Sequence, residues 1–441
     1  MKTIGIRRED KNNWETRTPI SPKEALTLFE KSGIPVSIQP SDIRTHSNDD
    51  YSDAKVTVSE NIWDADLVLA VKEIPLNLLV KNGKYLYFSH TIKGQIYNMP
   101  MLDRLMQLGC TLLDYELITD DSGKRLIFFS SFAGYAGMID SLHAFGKRLM
   151  AEGISSPFAD VKMTYEYKGL KNAESAMTAL GQQISEDGIP TSISPVVIGF
   201  TGYGQVSKAA QHIAKLLPHE YIKPEELVSY FKINKARHNC IYLVVFEERH
   251  MFDVNEANQV FHLQSYFKEP TRYHSIFSKY LDHLSIVVNG IFWTADCPRL
   301  ITKEDLRLLF ANAKEPPKLK VLGDITCDID GSFETTYKST SPANPCYIWN
   351  PADESFKDGY EGCGIVTMAV DNLPCELSRE ASDYFSSMLL PLLYKAKDAD
   401  FDAELESIGL PSELQRAIIM HKGKLVLQFE HLTQSIQDAL N

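Results

Sequence analysis

Short apolar runs, each closed by charged, polar or glycine residues and most followed by an amphipathic stretch, recur along much of this chain. Thr3–Ile6, Pro35–Ile38, Leu67–Val71, Tyr85–Ser89 and Thr111–Tyr115 occupy the first third; Val196–Phe200, Ile241–Phe246, Leu284–Val288 and Lys320–Gly323 follow a break at Gly188–Pro195. Such a run is a buried strand feeding a helix, and the alternation predicts parallel sheets wound by helices. Two such blocks in 441 residues exceed a single core. The expected fold is α/β: two doubly wound, Rossmann-like parallel-sheet domains separated by a cleft, with interdomain helices.

Residues 1–131 with about 375–441 should form one domain and 132–374 the other. A helix is expected over Ser21–Ser32, opened by Ser21-Pro22 with Glu24 at capping-box spacing and stopped by Gly33. Phe132–Met150 reads as a long helix whose glycines allow close packing, and as a connection between the domains. Ser378–Tyr394 reads as a helix, Asp398–Asn441 as further helices, and Lys314–Lys318 as a surface loop.

The balance is ordinary globular, with 44% hydrophobic and 23% charged residues, and the net charge is -13. An anionic protein is repelled by nucleic acid and by anionic membranes, so neither is an expected partner; small-molecule chemistry is. The N-terminus turns charged at Arg7, too early for a secretory signal, and no apolar run is long enough to span a membrane. Seven cysteines, Cys110, Cys240, Cys297, Cys327, Cys346, Cys363 and Cys375, lack any C-x-x-C pair and suggest no metal site. A reducing, cytoplasmic setting is expected.

Ligands of a wound sheet bind beyond the carboxyl ends of its strands. In the first block those ends carry Arg7-Arg8-Glu9 with Glu15-Thr16-Arg17 behind, then Lys72-Glu73, His90, and Tyr115-Glu116. Singly, each reads as a solvated strand end, a structural histidine or an ion-pair member. Their convergence on one edge points to a site that holds a carboxylate, moves a proton and receives an amine.

A second signal is Val196-Val-Ile-Gly-Phe-Thr-Gly202-Tyr-Gly204-Gln205-Val206-Ser207, a strand, a glycine turn and a helix start. Gly202 and Gly204 fit the first two positions of the dinucleotide fingerprint, and Ser207 stands at the third, where a small residue serves packing. The acidic residue expected about 20 residues further on to meet a ribose hydroxyl has only Glu220 near its spacing, so NAD and NADP both stay open. Asn289 and Asp324, at later strand ends, should lie beside the nicotinamide if the strand order is Rossmann-like. Asp371-Asn372-Leu373 precedes a helix and reads equally as a cap or a ligand contact.

Several stretches resemble, in chain order, the lysine-forming saccharopine dehydrogenases, and above all the lysine-ketoglutarate reductase half of aminoadipic semialdehyde synthase. They are Glu15-Thr-Arg17-Thr-Pro-Ile-Ser-Pro, Val71-Lys72-Glu73-Ile-Pro, Phe88-Ser-His90-Thr-Ile-Lys93, Leu113-Asp-Tyr-Glu116, Ala133-Gly-Tyr-Ala-Gly137, Asn289-Gly-Ile-Phe-Trp293, Gly323-Asp324-Ile-Thr-Cys-Asp328 and Val370-Asp371-Asn-Leu373-Pro374. Alanine dehydrogenase and the transhydrogenase alpha subunit are similar more remotely. The resemblance implies reversible condensation of L-lysine with 2-oxoglutarate and reduction to saccharopine by NAD or NADP. It implies Lys72 and His90 as the acid–base pair, Arg17 and Arg125 as carboxylate contacts, and Glu73 and Glu116 as ammonium contacts. It further implies Gly202, Gly204, Gln205, Val206, Ser207, Asn289, Asp324, Asp371 and Leu373 along the cofactor. Its partners would be lysine, 2-oxoglutarate and saccharopine, with a separate glutamate-forming saccharopine dehydrogenase acting next; a homo-oligomer stays open. Phe129-Ser-Ser-Phe132 departs from the family pattern, which has a glycine before the Phe-Ala-Gly run. An alanine-dehydrogenase-like catalyst and a non-catalytic nicotinamide or amino-acid sensor are the competing readings, and ornithine competes with lysine as the amine.

Overall fold

The computed structural model describes residues 1–256, 259–313 and 315–440. They form two compact units, one of Met1–Phe129 with the chain from Ser378 onward, the other of Ser130–Leu377. Lys314, in the expected surface loop, lies outside the described residues.

In the first unit, strands β1 (Ile4–Ile6), β2 (Val36–Ile38), β3 (Thr57–Val58), β4 (Leu67–Leu69), β5 (Lys84–Tyr87) and β6 (Thr111–Asp114) are parallel, in the order β3-β2-β1-β4-β5-β6. The order reverses between β1 and β4, so the chain leaves those two strands in opposite directions and opens a crevice at their carboxyl ends. Two strands from the end of the chain, Ile418–His421 and Lys424–Leu425, extend the sheet antiparallel beyond β6. Helices alone were expected there. The apolar run Ile418-Ile-Met is buried by pairing with β6, a partner more than 300 positions away, which local periodicity does not register.

The helix Pro22–Ser32 has Ser21 as its N-cap and left-handed Gly33 at its end. Its capping is half of the expected box: Ser21 Oγ accepts the Glu24 N–H at 3.5 Å, but the Ser21 N–H donates to Ser386 Oγ at 2.9 Å instead of to Glu24.

The second unit holds β7 (Val197–Thr201), β8 (His219–Tyr221), β9 (Ile241–Phe246), β10 (Phe252–Val254), β11 (Tyr273–Ser275), β12 (Ile286–Asn289), β13 (Val321–Asp324), β14 (Cys346–Trp349), β15 (Phe356–Asp358) and β16 (Ile365–Met368). The main sheet runs β15-β14-β16-β13-β12-β7-β9-β8, with β14 antiparallel to both neighbours, and β10 pairs with β11 as a separate ribbon. The strand that follows β7 along the chain therefore goes to the edge, and β9 takes the place beside β7. This exchange departs from the classic wound order.

The helix Ser130–Ala151, expected to connect the domains, belongs to the second unit. It crosses the helix Gln205–Ala214 so closely that a Cβ at Gly134 would strike the Val206 carbonyl oxygen. The sheet faces on either side are packed with Ile198, Phe200, Ile286 and Val321 on one and Val244, Val287 and Leu322 on the other. No helix among the described residues is long and apolar enough to cross a membrane.

Two of the buried carboxyl groups in this unit, Asp140 and Glu376, lie side by side. Asp140 Oδ1 accepts the Thr164 N–H at 2.9 Å and its hydroxyl at 2.8 Å, and Glu376 Oε2 accepts the Tyr165 N–H at 3.1 Å. The remaining oxygens, Asp140 Oδ2 and Glu376 Oε1, have no other donor, and the two side chains are hydrogen-bonding neighbours. One proton between them satisfies both. Burial, then repulsion from Asp140, holds Glu376 well above the ordinary carboxyl range. A group raised in the folded state stabilises fully below its unfolded value, and that contribution is lost as pH rises through the folded value. Wild-type Tm should therefore fall as pH rises above the ordinary carboxyl range, and Glu376→Gln should flatten that fall in thermal unfolding; equal slopes would show that the pair does not share a proton.

Candidate functional site

The carboxyl edge of the first sheet is built on two buried carboxylates. Glu9, just past β1, accepts the Val71 N–H at 2.6 Å through Oε1 and the Lys72 N–H at 3.1 Å through Oε2, and so docks the end of β4 against the end of β1. Burial, with repulsion from Glu15, pushes its carboxyl up to about 7. Asp114, ending β6, accepts the Ser89 N–H at 2.8 Å and the Glu116 N–H at 2.7 Å, tying the exits of β5 and β6 together. Burial raises it to about 6.

On this base the expected residues come together. His90 adopts a left-handed φ of 50°, a conformation costly for a residue with a Cβ. Asn98 Nδ2 holds it there, donating to the carbonyls of Ser89 at 3.1 Å and His90 at 3.3 Å. His90 Nδ1 meets Glu73 Oε1 at 2.6 Å, and Lys11 Nζ meets Glu73 Oε2 at 3.2 Å. Burial would raise Glu73, but the hydrogen bond and charge of His90, with Lys11, bring it down to about 2. Lys72 is half-buried, and no hydrogen bond or ion pair of its ammonium is recorded among the described residues. Glu116 and Arg125 are 3.5 Å apart, with Arg125 5.5 Å from the Phe88 ring centroid.

Arg17 sits differently from expectation. It is 3% exposed, and its fork closes on Glu15, with Nε to Oε1 at 2.8 Å and Nη2 to Oε2 at 2.7 Å. It lies 4.2 Å over the ring of Phe129. Phe129, in the stretch that departs from the family pattern, stacks on Phe385 at 4.5 Å, and Phe385 meets Tyr115 edge-on at 4.8 Å. This aromatic layer between the charged groups depends on the helix Ser378–Lys395, far along the chain. Neither it nor Asn98 had a signal in the sequence; Asp114 did, as the polar end of an apolar strand.

In the second unit β7 runs into Gly202, whose φ is +75°, then Tyr203 and Gly204, the N-cap of the helix Gln205–Ala214. No side chain caps this helix, and a Cβ at Gly204 would meet nothing within 4 Å. The N-cap of this ten-residue helix thus borders open space, which suits a pyrophosphate. Gln205 is exposed, Val206 half-buried, and Ser207 buried with its hydroxyl accepting from Gln211 at 3.1 Å. A cavity of about 590 Å³ opens beside the turn, walled by Gly202, Tyr203, Glu248, Phe252, Tyr266 and Ile291 among others.

Four of the expected cofactor contacts are absent from the cavity's lining. Asn289 and Asp324 do end β12 and β13, but both are 0% exposed. Asn289 Nδ2 donates to Asp324 at 2.9 Å, Thr326 at 3.0 Å and Ser332 at 2.7 Å, and its Oδ1 accepts from Thr201 at 2.8 Å. Their polar atoms tie β7, β12 and β13 together and do not line the cavity. Leu373 is buried at 1% exposure, and Asp371 is exposed with its N–H on the Thr340 carbonyl at 3.0 Å; both follow β16, which is separated from β7 by β13 and β12. Glu220 lies on edge strand β8 and pairs with Arg237.

The fold is similar to that of a solved L-alanine dehydrogenase, which matches with TM-score 0.61 at 18% identity and covers 99% of each chain. The chain belongs to the alanine dehydrogenase/PNT family, whose N-terminal domain matches residues 5–136 and C-terminal domain residues 250–428. It is 34% identical to alpha-aminoadipic semialdehyde synthase of Arabidopsis thaliana, over 97% of this chain. It is 23% identical to saccharopine dehydrogenase (NAD(+), L-lysine-forming) of Emericella nidulans, over 88% of this chain and 90% of that one. The chain spans 41% of the plant relative's length. The homology is to oxidoreductases of the amino-acid dehydrogenase type.

Asn289→Ala should destabilise the second unit by about 1–3 kcal/mol, the cost of leaving buried groups unsatisfied. Denaturant unfolding measures it, and a change within error would mean that these groups find other partners.

Proposed function

We propose that this chain catalyses the reversible, nicotinamide-dependent reductive condensation of L-lysine with 2-oxoglutarate to saccharopine. The observation that carries the reading is the grouping of Lys72, Glu73 and His90 at the carboxyl ends of neighbouring strands, with Glu73 on His90 at 2.6 Å. The lysine side-chain amine adds to the keto carbon, water is expelled, and the imine carbon accepts a hydride.

In this reading Lys72 and His90 exchange the protons of amine addition and water loss. Glu73 orients the imidazole through its 2.6 Å contact with Nδ1. The contact of Lys11 with Glu73 supports a carboxylate that takes a substrate ammonium, since an exposed protein ammonium already rests there. Glu116 and Arg125 are open enough to trade one another for an ammonium and a carboxylate. Arg17 would reach a carboxylate only by releasing Glu15; otherwise it positions Phe129 and the aromatic layer. When bound at the β7 turn, a nicotinamide dinucleotide supplies the hydride. The absence of disulfides among the described residues fits a reducing compartment such as the cytoplasm.

Reduced-nicotinamide absorbance, followed with 2-oxoglutarate and lysine, ornithine or ammonia in turn, tests the reaction. Lysine-dependent oxidation is expected; activity with ammonia alone would move the protein toward alanine-dehydrogenase chemistry, and binding without turnover toward a sensor. Lys72→Met and His90→Gln should each lower kcat roughly 10²–10⁴-fold, as acid–base groups do, with the fold retained by circular dichroism. Near-wild-type rates in both variants would remove the proposed roles.

A further inference from the structure

We infer that Glu9 is a positioning residue for Lys72: its carboxylate takes the place of a missing strand beyond β4, and a proton on it releases the backbone that carries Lys72. This rests on the proposed acid–base role of Lys72, but the clamp itself can be measured without turnover.

The need for a clamp is set by where β1 stops. The last ladder contact it makes with β4 is the Arg7 N–H on the Leu69 carbonyl at 2.8 Å. Beyond that point the chain keeps only its neighbour on the other side: the Ala70 N–H donates to the Leu86 carbonyl at 3.2 Å, and the Val71 carbonyl accepts from Phe88 at 3.1 Å. The N–H groups of Val71 and Lys72 have no backbone acceptor among the described residues, and Val71 is 0% exposed. Orphaned donors in such a place are costly. Glu9 Oε1 and Oε2 supply the two acceptors, at 2.6 Å and 3.1 Å.

What the clamp fixes is the root of a side chain that nothing else fixes. Lys72 is half-buried, and its ammonium has no partner recorded among the described residues. Its reach is therefore set by its backbone and not by its head group. Only a carboxylate can hold that backbone. Its two oxygens accept from the two N–H groups, whereas a carboxylic acid would bring a third donor to the same two oxygens. The relation is reciprocal: the two amide bonds hold the Glu9 carboxyl down, so a proton on Glu9 weakens those bonds.

The groups around Glu9 place this exchange near neutrality. On its own segment stand Arg7, paired with Asp10, and Glu15, engaged by Arg17. Lys72 lies across the clamp. After β6 comes the buried Tyr115 phenol, raised by burial and then by the charges of Glu9 and Asp114. Burial and repulsion from Glu15 outweigh the two amides and Arg7 and bring the Glu9 carboxyl to about 7. The clamp is closed above that pH and opens as pH falls through it.

The test follows the Lys72 backbone N–H by NMR of the full chain, labelled with nitrogen-15 lysine and assigned with Lys72→Arg, beside steady-state kinetics with lysine, 2-oxoglutarate and reduced nicotinamide. The amide should shift as pH falls through about 7. That step should persist in His90→Gln, which removes the imidazole's own titration, and vanish in Glu9→Gln. Glu9→Gln turns an amide nitrogen toward one of the two N–H groups, and at about pH 8 should lower kcat by up to about 10²-fold, the order that a 1 Å misplacement costs, with KM little changed. A merely structural role would lower stability and leave the amide step in place. Wild-type kcat in Glu9→Gln, a loss confined to KM, or a step that survives Glu9→Gln overturns the inference. So does a Lys72 amide that stays still from about pH 5 to about pH 9 in wild type, a result that needs no variant to fold. Absence of turnover with every amine would instead remove the proposed reaction, and the amide titration would still decide the clamp.

Discussion

A carboxylate withdrawn from water organises the first unit. Glu9 gives one oxygen to the N–H of Val71 and the other to that of Lys72. The strand that presents Lys72 is thereby locked to the strand that precedes Arg17. A buried carboxylate is costly without such donors, and its ordering of two backbone amides is what that cost maintains. Asp114 repeats the device one strand further on, holding Ser89 and so the left-handed turn of His90. Lys72, Glu73 and His90 are adjacent because the chain beneath them is fixed, a condition for proton transfer over hydrogen-bond distances.

The second unit meets the same need with an amide. Asn289 spends its amide on Asp324, Thr326 and Ser332 and its carbonyl on Thr201. The carboxyl ends of β7, β12 and β13 then form a rigid floor under the glycine turn. Strand-end polar residues in a wound sheet divide in this way between those that face a ligand and those that hold the ones that do. Glu248 lines the cavity and Asn289 ties the strands together, although both stand near strand ends.

Much of the candidate site was legible before any coordinates. The strand ends carrying Lys72, Glu73, His90 and Glu116 could be read because a parallel sheet aligns its carboxyl ends on one edge. The glycine turn at Gly202 could be read because a positive φ leaves a glycine behind. Asn98 and Phe385 could not, since they reach the site from segments whose local pattern signals only a helix or a turn. Glu15 was read as one of the strand-end charges, but its closure on Arg17 follows from a shared burial that neither residue announces.

The sequence alone determined the fold class and the central strands of each sheet, because hydrophobic period and turn residues act over a few positions. It also determined which chemical groups gather at the edge of the first sheet. Tertiary structure decided which strand lies beside which, and with it the meaning of each strand-end residue. β9 displaces β8 from the side of β7, so Glu220 becomes an edge ion pair and Glu248 faces the cavity. The order of strands in a sheet is set by packing over the whole face, and no window along the chain contains it.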